Sequence, residues 1–475
     1  MRIRWQRSLA LFLLGVLAAA PIGAETPHIV FVLADDMGWG DARCYNPDSA
    51  IPTPHMDRLA SEGRRFTDAH SSGAVCTPSR YGFITGRYFW RIDRTIQGLN
   101  GYGAAIIETD RPTLPRTMKE QGYHTVMLGK WHLGLTEEVP ADFSGKMVPN
   151  PTTYGFDYYF GLAASLDFPP YCWVENDEAV VKPTDQIKGT ERGQPRFWRS
   201  GAIAPGFKLE DVLPTLTEKA VKTLADHAPK KDDEPLFLYV PLPSPHTPCL
   251  PDEEARGKSN AGDYGDYVWQ VDRSVGDILK ALDEIGYTEN TLFILSSDNG
   301  GLQTWIPEEY QHHKTNGPWR GQKADAYEGG HRVPFYVRWP GHVEAGTVSD
   351  ELIGINDLYA TFAALTGAEL SAGAAPDSMN ILDAFKGKTS PRETFVTQSS
   401  ARLTAIRHGH WKLIDGLGSG GFGWNPKEHQ PTEDGPKGQL YNLKEDPAEE
   451  LNLWDINPIK RDELLALLEA ERNRA

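Results

Sequence analysis

Two continuously apolar runs constrain the fold more than anything else in this chain: Ile29-Val30-Phe31-Val32-Leu33 and Thr291-Leu292-Phe293-Ile294-Leu295. A strand with one wet face alternates apolar and polar residues, whereas a run without alternation needs cover on both faces. Each run stops at paired hydrophilic residues, Asp35-Asp36 in the first case and Asp298-Asn299 in the second. Further strand-like segments at 124–128, 236–240 and 333–337 alternate with helix-like ones. Thr53 serves as cap and Pro54 as first-turn proline for a helix to about residue 65. Others start at Pro78, run from Thr113 to near Gly122, and span 216–227 and 264–285. This alternation predicts an α/β fold, a large mixed and mostly parallel sheet sandwiched by helices. Ligands in such sheets bind where strands run out, which is where the polar clusters fall.

Residues 1–24 carry Arg2, Arg4 and Arg7, an apolar core and small residues up to Ala24, the pattern of a signal peptide. Its core is short for a membrane span, so stable membrane insertion is not expected, a retained anchor being the alternative. Export to the periplasm or exterior follows. The remainder predicts one large domain, 25–385, and a smaller companion, 386–475. Losing three arginines takes the formal charge from -17 to about -20, a surface that argues against nucleic acid or anionic membranes as partners. An anionic small substrate stays compatible, because a few convergent cations make one pocket positive. The four cysteines, Cys44, Cys76, Cys172 and Cys249, are too few for a disulfide scaffold in a chain this long. Cys172 and Cys249, both in proline-rich segments, are expected to pair.

Three stretches, 136–207, 301–322 and 416–438, break the alternation with Gly, Pro and aromatic residues. Long ordered loops are commonly functional, and substrate selection is expected there. Near the C-terminus, 405–414 and 439–443 predict an antiparallel pair followed by a helix from about Pro458. Together these form a small α+β subdomain with an antiparallel sheet.

Asp35, Asp36, Asp298 and Asn299 offer hard oxygen ligands from two strand ends, as Ca²⁺ or Mg²⁺ requires. Cys76 precedes Pro78, and a helix beginning there would turn free N–H groups toward position 76, a seat for an anion. Arg80 is placed to clamp a nucleophile or bound oxygens. Lys130 and His132, at i and i+2, share one face of an extended segment with Trp131 on the other. His246 sits in Pro243-Ser244-Pro245-His246-Thr247-Pro248, a stiff loop suited to a general acid. Lys323 can bind a sulfate oxygen as a compact charge. Glu328 and Arg332 suit a structural pair, and His312, His313 and Lys314 are candidate substrate contacts or a polar loop.

Five segments carry a resemblance: residues 33–41, Cys76-Thr77-Pro78-Ser79-Arg80 with Thr85-Gly86-Arg87, Gly129-Lys130-Trp131-His132-Leu133-Gly134, Ser297-Asp298-Asn299-Gly300, and Gly329-Gly330-His331-Arg332-Val333-Pro334. Through them the chain resembles the formylglycine-dependent sulfatases (arylsulfatase family) of the alkaline phosphatase superfamily over nearly its whole length. The resemblance implies an alkaline phosphatase-like fold and a maturation enzyme that oxidises Cys76 to formylglycine. It implies a divalent ion, Ca²⁺ with Mg²⁺ or Mn²⁺ as alternatives, held by Asp35, Asp36, residue 76, Asp298 and Asn299. Catalytic roles are implied for Cys76, Arg80, Lys130, His132, His246 and Lys323. The segment Asp377-Ser378-Met379-Asn380-Ile381-Leu382 departs from the more Gly- and Asp-rich turn of such proteins.

A hydrated aldehyde explains the modification, since it carries two hydroxyls on one carbon. One attacks sulfur while His246 protonates the departing alcohol. The other loses its proton to His132, and collapse to the aldehyde expels sulfate by C–O cleavage. A phosphonate or phosphodiester hydrolase is the nearest rival, because a diester is also monoanionic. A non-catalytic glycan-binding scaffold would show gaps among these residues, and there are none. Thirteen tryptophans and the aromatic loops suit a sulfated carbohydrate or other small sulfated substrate.

Overall fold

Along the first strand, Ile29, Phe31 and Leu33 enter one apolar core while Val30, Val32 and Ala34 enter another, so the run is buried on both faces as its lack of alternation requires. The computed structural model describes residues 26–92, 99–230, 234–422 and 432–474. The expected signal peptide, 1–24, lies outside the described residues. Among the described residues, no helix is long and apolar enough to cross a membrane.

The central sheet contains β1 (His28–Asp35), β2 (Arg64–Phe66), β3 (His124–Lys130), β4 (Tyr158–Leu162), β5 (Val174–Glu175), β6 (Glu178–Ala179), β7 (Leu236–Pro245), β8 (Thr291–Ser297), β9 (Phe335–Arg338) and β10 (Thr347–Ser349). Their order is β10-β2-β9-β8-β1-β7-β3-β4-β5-β6. The middle is parallel: β8, β1, β7, β3 and β4 all run one way, with antiparallel pairs outside them except for β10, which pairs β2 in parallel at one edge. Flanking helices are α1 (Pro54–Glu62), α2 (Cys76–Thr85), α3 (Leu114–Glu120), α4 (Val212–His227), α5 (Gly262–Glu284) and α6 (Leu358–Thr366). Tyr81, Phe83, Leu114, Met118 and Phe362 place α2, α3 and α6 over the core of Ile29. Met56, Leu59, Leu216, Leu224, Val271 and Leu279 place α1, α4 and α5 over the core of Val30.

The stretch 136–207 is more ordered than a loop: it holds β4, β5, β6 and a ribbon, Asp185–Ile187 with Gly201–Ile203. Those strands are short, and tertiary pairing rather than local pattern creates them. The expected disulfide does not form. Cys172 lies in the core on one face of the sheet and Cys249 in that on the other, and both are free thiols.

At the C-terminal end, β11 (Thr394–Gln398), β12 (Thr404–His408), β13 (Trp411–Ile414) and β14 (Gln439–Asn442) form an antiparallel sheet covered by α7 (Pro458–Asn473). The segment 405–414 is therefore two strands, turned back on itself at Gly409, whose φ is 56°. Tyr88 and Leu352 from the large domain complete the small core with Phe395, Ile406 and Leu464. At the departing turn, Asp377 takes hydrogen bonds from Arg91, Arg474 and the backbone N–H of Tyr88. Glu328 and Arg332 are the structural pair expected, 2.7 Å apart, and Glu328 also meets Arg407 and Lys412, each at 3.1 Å. His70, Glu328 and His331 are spaced as metal ligands could be, but Arg332, Arg407 and Lys412 already supply that carboxylate with positive charge. Their effect is to join the small sheet to the loop after β8.

The start of α1 shows tertiary structure replacing a local cap. Thr53 makes no side-chain cap bond; Asp272 of α5 instead accepts from the N–H groups of His55 at 3.2 Å and Met56 at 2.8 Å. Asp272→Ala should lower stability by roughly 1–2 kcal/mol. Burial raises the Asp272 carboxyl to about 7, so the folded state holds this proton more tightly than the unfolded chain. Its contribution is full below about pH 4 and is lost as pH rises through about 7. The stability margin of the wild type over Asp272→Asn should therefore shrink across that window, as urea denaturation at several pH values will measure.

Candidate active site

Adjacent parallel strands in matched register bring the two polar pairs together. Ala34 of β1 lies beside Ser297 of β8, so Asp35-Asp36 and Asp298-Asn299 emerge at one sheet edge. Asp36 has φ 68°, a left-handed turn that ends the strand and lets both neighbouring carboxylates stay inside. The Asp298 N–H binds the Ala34 carbonyl at 3.0 Å, and the Asp36 N–H reaches Asp298 Oδ1 at 3.2 Å. Asn299 donates to Asp36 Oδ1 at 2.7 Å. All four side chains are fully buried.

Three cations meet these three carboxylates. Arg80 binds Asp298 through Nε at 2.9 Å, Lys130 binds Asp35 at 2.6 Å and Lys323 binds Asp36 at 2.8 Å. Burial by itself would raise the Asp35 carboxyl, but Lys130, with His246, Arg80 and Lys323, holds it well below the usual range. Burial and the nearby Asp35 push Asp298 the other way, up to about 7. Burial by itself would lower the Lys323 ammonium, but Asp36, with Cys76 and Asp35, raises it.

Asp35 Oδ1 and Asn299 Oδ1 have no hydrogen-bond partner among the described residues. Two orphaned acceptors in a buried oxygen-rich cluster fit a hard divalent cation. Asp35, Cys76 and Asp298 offer ligand atoms within 4.8 Å of one another, as do Asp35, Asp36 and His246.

Cys76 is the first residue of α2, two earlier than Pro78 suggests, and proline is accommodated within that opening turn. Burial raises its thiol, so the cysteine as encoded stays protonated and is a poor nucleophile. Lys130 ends β3, and His132 lies beyond it with φ 58°; the pair shares the site through this turn rather than by extended alternation. Trp131 points away into the core, stacked 5.8 Å from Tyr154. The His132 Nε2–H donates to the Leu99 carbonyl at 2.7 Å, leaving Nδ1 without a partner among the described residues. Burial, then Lys130 and Arg80, lower its pKa well below the usual value, so the ring is a neutral acceptor. His246, directly after β7, gives its Nδ1–H to the Thr247 carbonyl at 2.7 Å, and its Nε2 lies 3.6 Å from Asp36.

Every catalytic and metal-site residue expected from sequence thus converges here. The loop residues divide. His313 is buried and bonded to Asp41 at 2.9 Å, a structural role, and neither it, His312 nor Lys314 lines the cavity over Cys76. That cavity holds about 600 Å³ and is walled by Ser165, Asp167, Phe168, Arg192, Trp305 and others. Sequence reasoning placed substrate selection in 136–207 and 301–322 but named none of these five. No motif marks them, and only the path of the loops brings them to position 76.

The family model described as Sulfatase matches residues 27–368. The chain belongs to the sulfatase family. A curated relative, the N-acetylgalactosamine-6-O-sulfatase of Bacteroides thetaiotaomicron, is 36% identical, covering 95% of this chain and 94% of its own. Rat steryl-sulfatase is 31% identical over 85% of this chain and 78% of its own. A solved sulfatase from work on metabolism of multiple glycosaminoglycans by Bacteroides thetaiotaomicron superposes with a TM-score of 0.83 at 33% identity, covering 95% of this chain and all of that one. This sulfatase is accordingly a sulfuric ester hydrolase.

Within the sulfatase site, Gly129 lets β3 pass close to β7. Its φ is 140°, and a Cβ there would lie 2.0 Å from the Pro241 carbonyl oxygen. Gly129→Ala should displace Lys130, destabilising the fold by roughly 1–3 kcal/mol and lowering activity. Thermal unfolding and steady-state rates on an aryl sulfate will check both.

Proposed function

We propose that this sulfatase is exported and removes sulfate from a sulfated carbohydrate, a 6-O-sulfated N-acetylhexosamine of the glycosaminoglycan type. The observation that carries the reading is the grouping of Cys76, His132, His246 and Lys323 around one cavity, with Lys130 bonded to Asp35 of the same cluster, in a chain matched over 95% of its length by an N-acetylgalactosamine-6-O-sulfatase. Residues 25–385 would form the catalytic domain and 386–475 a subdomain that contributes Ser400 and Phe422 to the cavity wall. The signal pattern in residues 1–24 supports export.

A maturation enzyme would convert Cys76 to formylglycine, whose hydrate supplies the nucleophilic hydroxyl that the buried thiol does not. Asp35, Asp36, residue 76, Asp298 and Asn299 would hold the divalent ion, Ca²⁺ by their oxygen chemistry. Bound there, the ion supplies Lewis-acid stabilisation of charge on the transferring sulfate. The chain's own groups do the rest. Lys130, Lys323 and Arg80 offset negative charge on the sulfuryl oxygens in a buried site, where such charges act strongly. His246 acts as the imidazolium: its Nδ1–H stays on the Thr247 carbonyl while the Nε2 proton passes to the leaving alcohol, which leaves the ring neutral. His132 accepts a proton at Nδ1 from the second hydroxyl at position 76, its ring held by the Leu99 carbonyl. Acid–base help of this kind contributes roughly 10²–10⁴ in rate.

Cys76→Ala should abolish turnover with an unchanged thermal unfolding curve, and peptide mapping of active enzyme should recover formylglycine at position 76. Only free thiol in fully active material would refute the nucleophile. Chelation should remove activity and Ca²⁺ restore it. Rates on N-acetylgalactosamine 6-sulfate should exceed those on an aryl phosphodiester; the reverse would make the enzyme a diesterase.

A further inference from the structure

Buried polar atoms without partners are rare and mark places where a ligand completes the bonding. In this site they fall into distinct groups. Asp35 Oδ1 and Asn299 Oδ1 belong to the ion site, and His132 Nδ1 to proton transfer. Ser165 Oγ and Asp167 Oδ1 are also unpartnered among the described residues, and neither task uses them. Their residues are only 2% and 4% exposed, yet both line the cavity over Cys76.

Asp167 is held rigidly. Its Oδ2 is ion-paired with Arg199, whose guanidinium lies 3.8 Å from the Phe168 ring centre and 5.0 Å from that of Phe197. The Arg199 N–H donates to the Asp167 carbonyl at 3.1 Å, and the Tyr171 hydroxyl lies 3.1 Å and 2.7 Å from the carbonyl oxygens of Asp167 and Arg199. Orienting His246 is not its task. Asp167 Oδ1 is 3.9 Å from His246 Nδ1, and that nitrogen already donates to Thr247 at 2.7 Å.

A fixed carboxylate oxygen with an open lone pair accepts hydrogen bonds and repels anions. In a cavity for an anionic ester it therefore selects a neutral donor beside the sulfate, and a sugar ring carries such donors on neighbouring carbons. We propose that Asp167, positioned by Arg199 and assisted by Ser165, accepts a hydrogen bond from a hydroxyl of the sugar ring that bears the sulfate. The pair thereby favours sulfated carbohydrates over aryl or steryl sulfates. This inference rests on the carbohydrate reading above.

The test uses the matured full-length enzyme with N-acetylgalactosamine 6-sulfate, its monodeoxy analogues and 4-nitrophenyl sulfate. Asp167→Asn should cut kcat/KM on the sugar sulfate by roughly 10–100-fold, and Ser165→Ala by roughly 3–10-fold. The Asp167→Asn loss on 4-nitrophenyl sulfate should be about tenfold smaller. One monodeoxy analogue should reproduce the Asp167→Asn loss with wild-type enzyme, and combining analogue and variant should cost little more. Equal losses on sugar and aryl substrates, or wild-type enzyme indifferent to every deoxygenation, would overturn the inference even if Asp167→Asn fails to fold. Wild-type enzyme that cleaves 4-nitrophenyl sulfate and no sulfated sugar would instead overturn the carbohydrate reading, and this inference with it.

Discussion

The buried opposition of Asp35, Asp36 and Asp298 to Lys130, Lys323 and Arg80 is the constraint on which the rest of this sulfatase depends. A lone buried carboxylate costs several kcal/mol, and three together are tolerable only with opposite charge at contact distance. Each partner comes from a different element: β3 for Lys130, α2 for Arg80 and the loop after β8 for Lys323. The charges can meet only if the whole sheet edge is assembled. Such a cluster is a poor source of stability, since well-packed apolar residues would serve at least as well. Its retention is therefore understandable as function, a set of cations and oxygen donors preorganised for an anionic ester.

The small C-terminal sheet takes part in that preorganisation. Lys412 of β13 and Arg407 of β12 reach Glu328, and the backbone N–H of Glu328 donates to Glu449 at 2.7 Å. The Ala326 N–H donates to the Ser419 carbonyl at 2.7 Å, and that of Ser400 to the Ala324 carbonyl at 2.8 Å. The loop between Ala324 and Glu328 follows Lys323 directly, so the C-terminal sheet fixes the backbone that presents this lysine to Asp36. A subdomain that looks like an appendix in sequence is, in three dimensions, one wall of the site.

The groups proposed for catalysis and those proposed for selection come from different segments of the chain. The strand ends supply the groups proposed to handle sulfate, while the 136–207 loops supply Ser165, Asp167, Phe168 and Arg192 to the cavity wall. The relatives fit this division, since a sulfatase named for an amino sugar and one named for a steroid share the family frame with this chain. A common sheet edge can serve both when the loops alone change.

The sequence by itself determined the two-sided burial of β1 and β8, the alternation that makes the sheet mostly parallel, and the identity of the residues at its edge. These were legible because apolar period and strand-terminal carboxylates are local signals that a parallel register then aligns. Tertiary structure alone decided the rest. Whether Cys172 could meet Cys249 depended on which face of the sheet each reached, and the two faces differ. The cap of α1 came from Asp272, 219 residues beyond Thr53, and His313 turned inward to Asp41 instead of toward substrate. The unpartnered oxygens of Ser165 and Asp167 have no local signature, because an unsatisfied oxygen is a property of its neighbours in space and not of its neighbours in the chain.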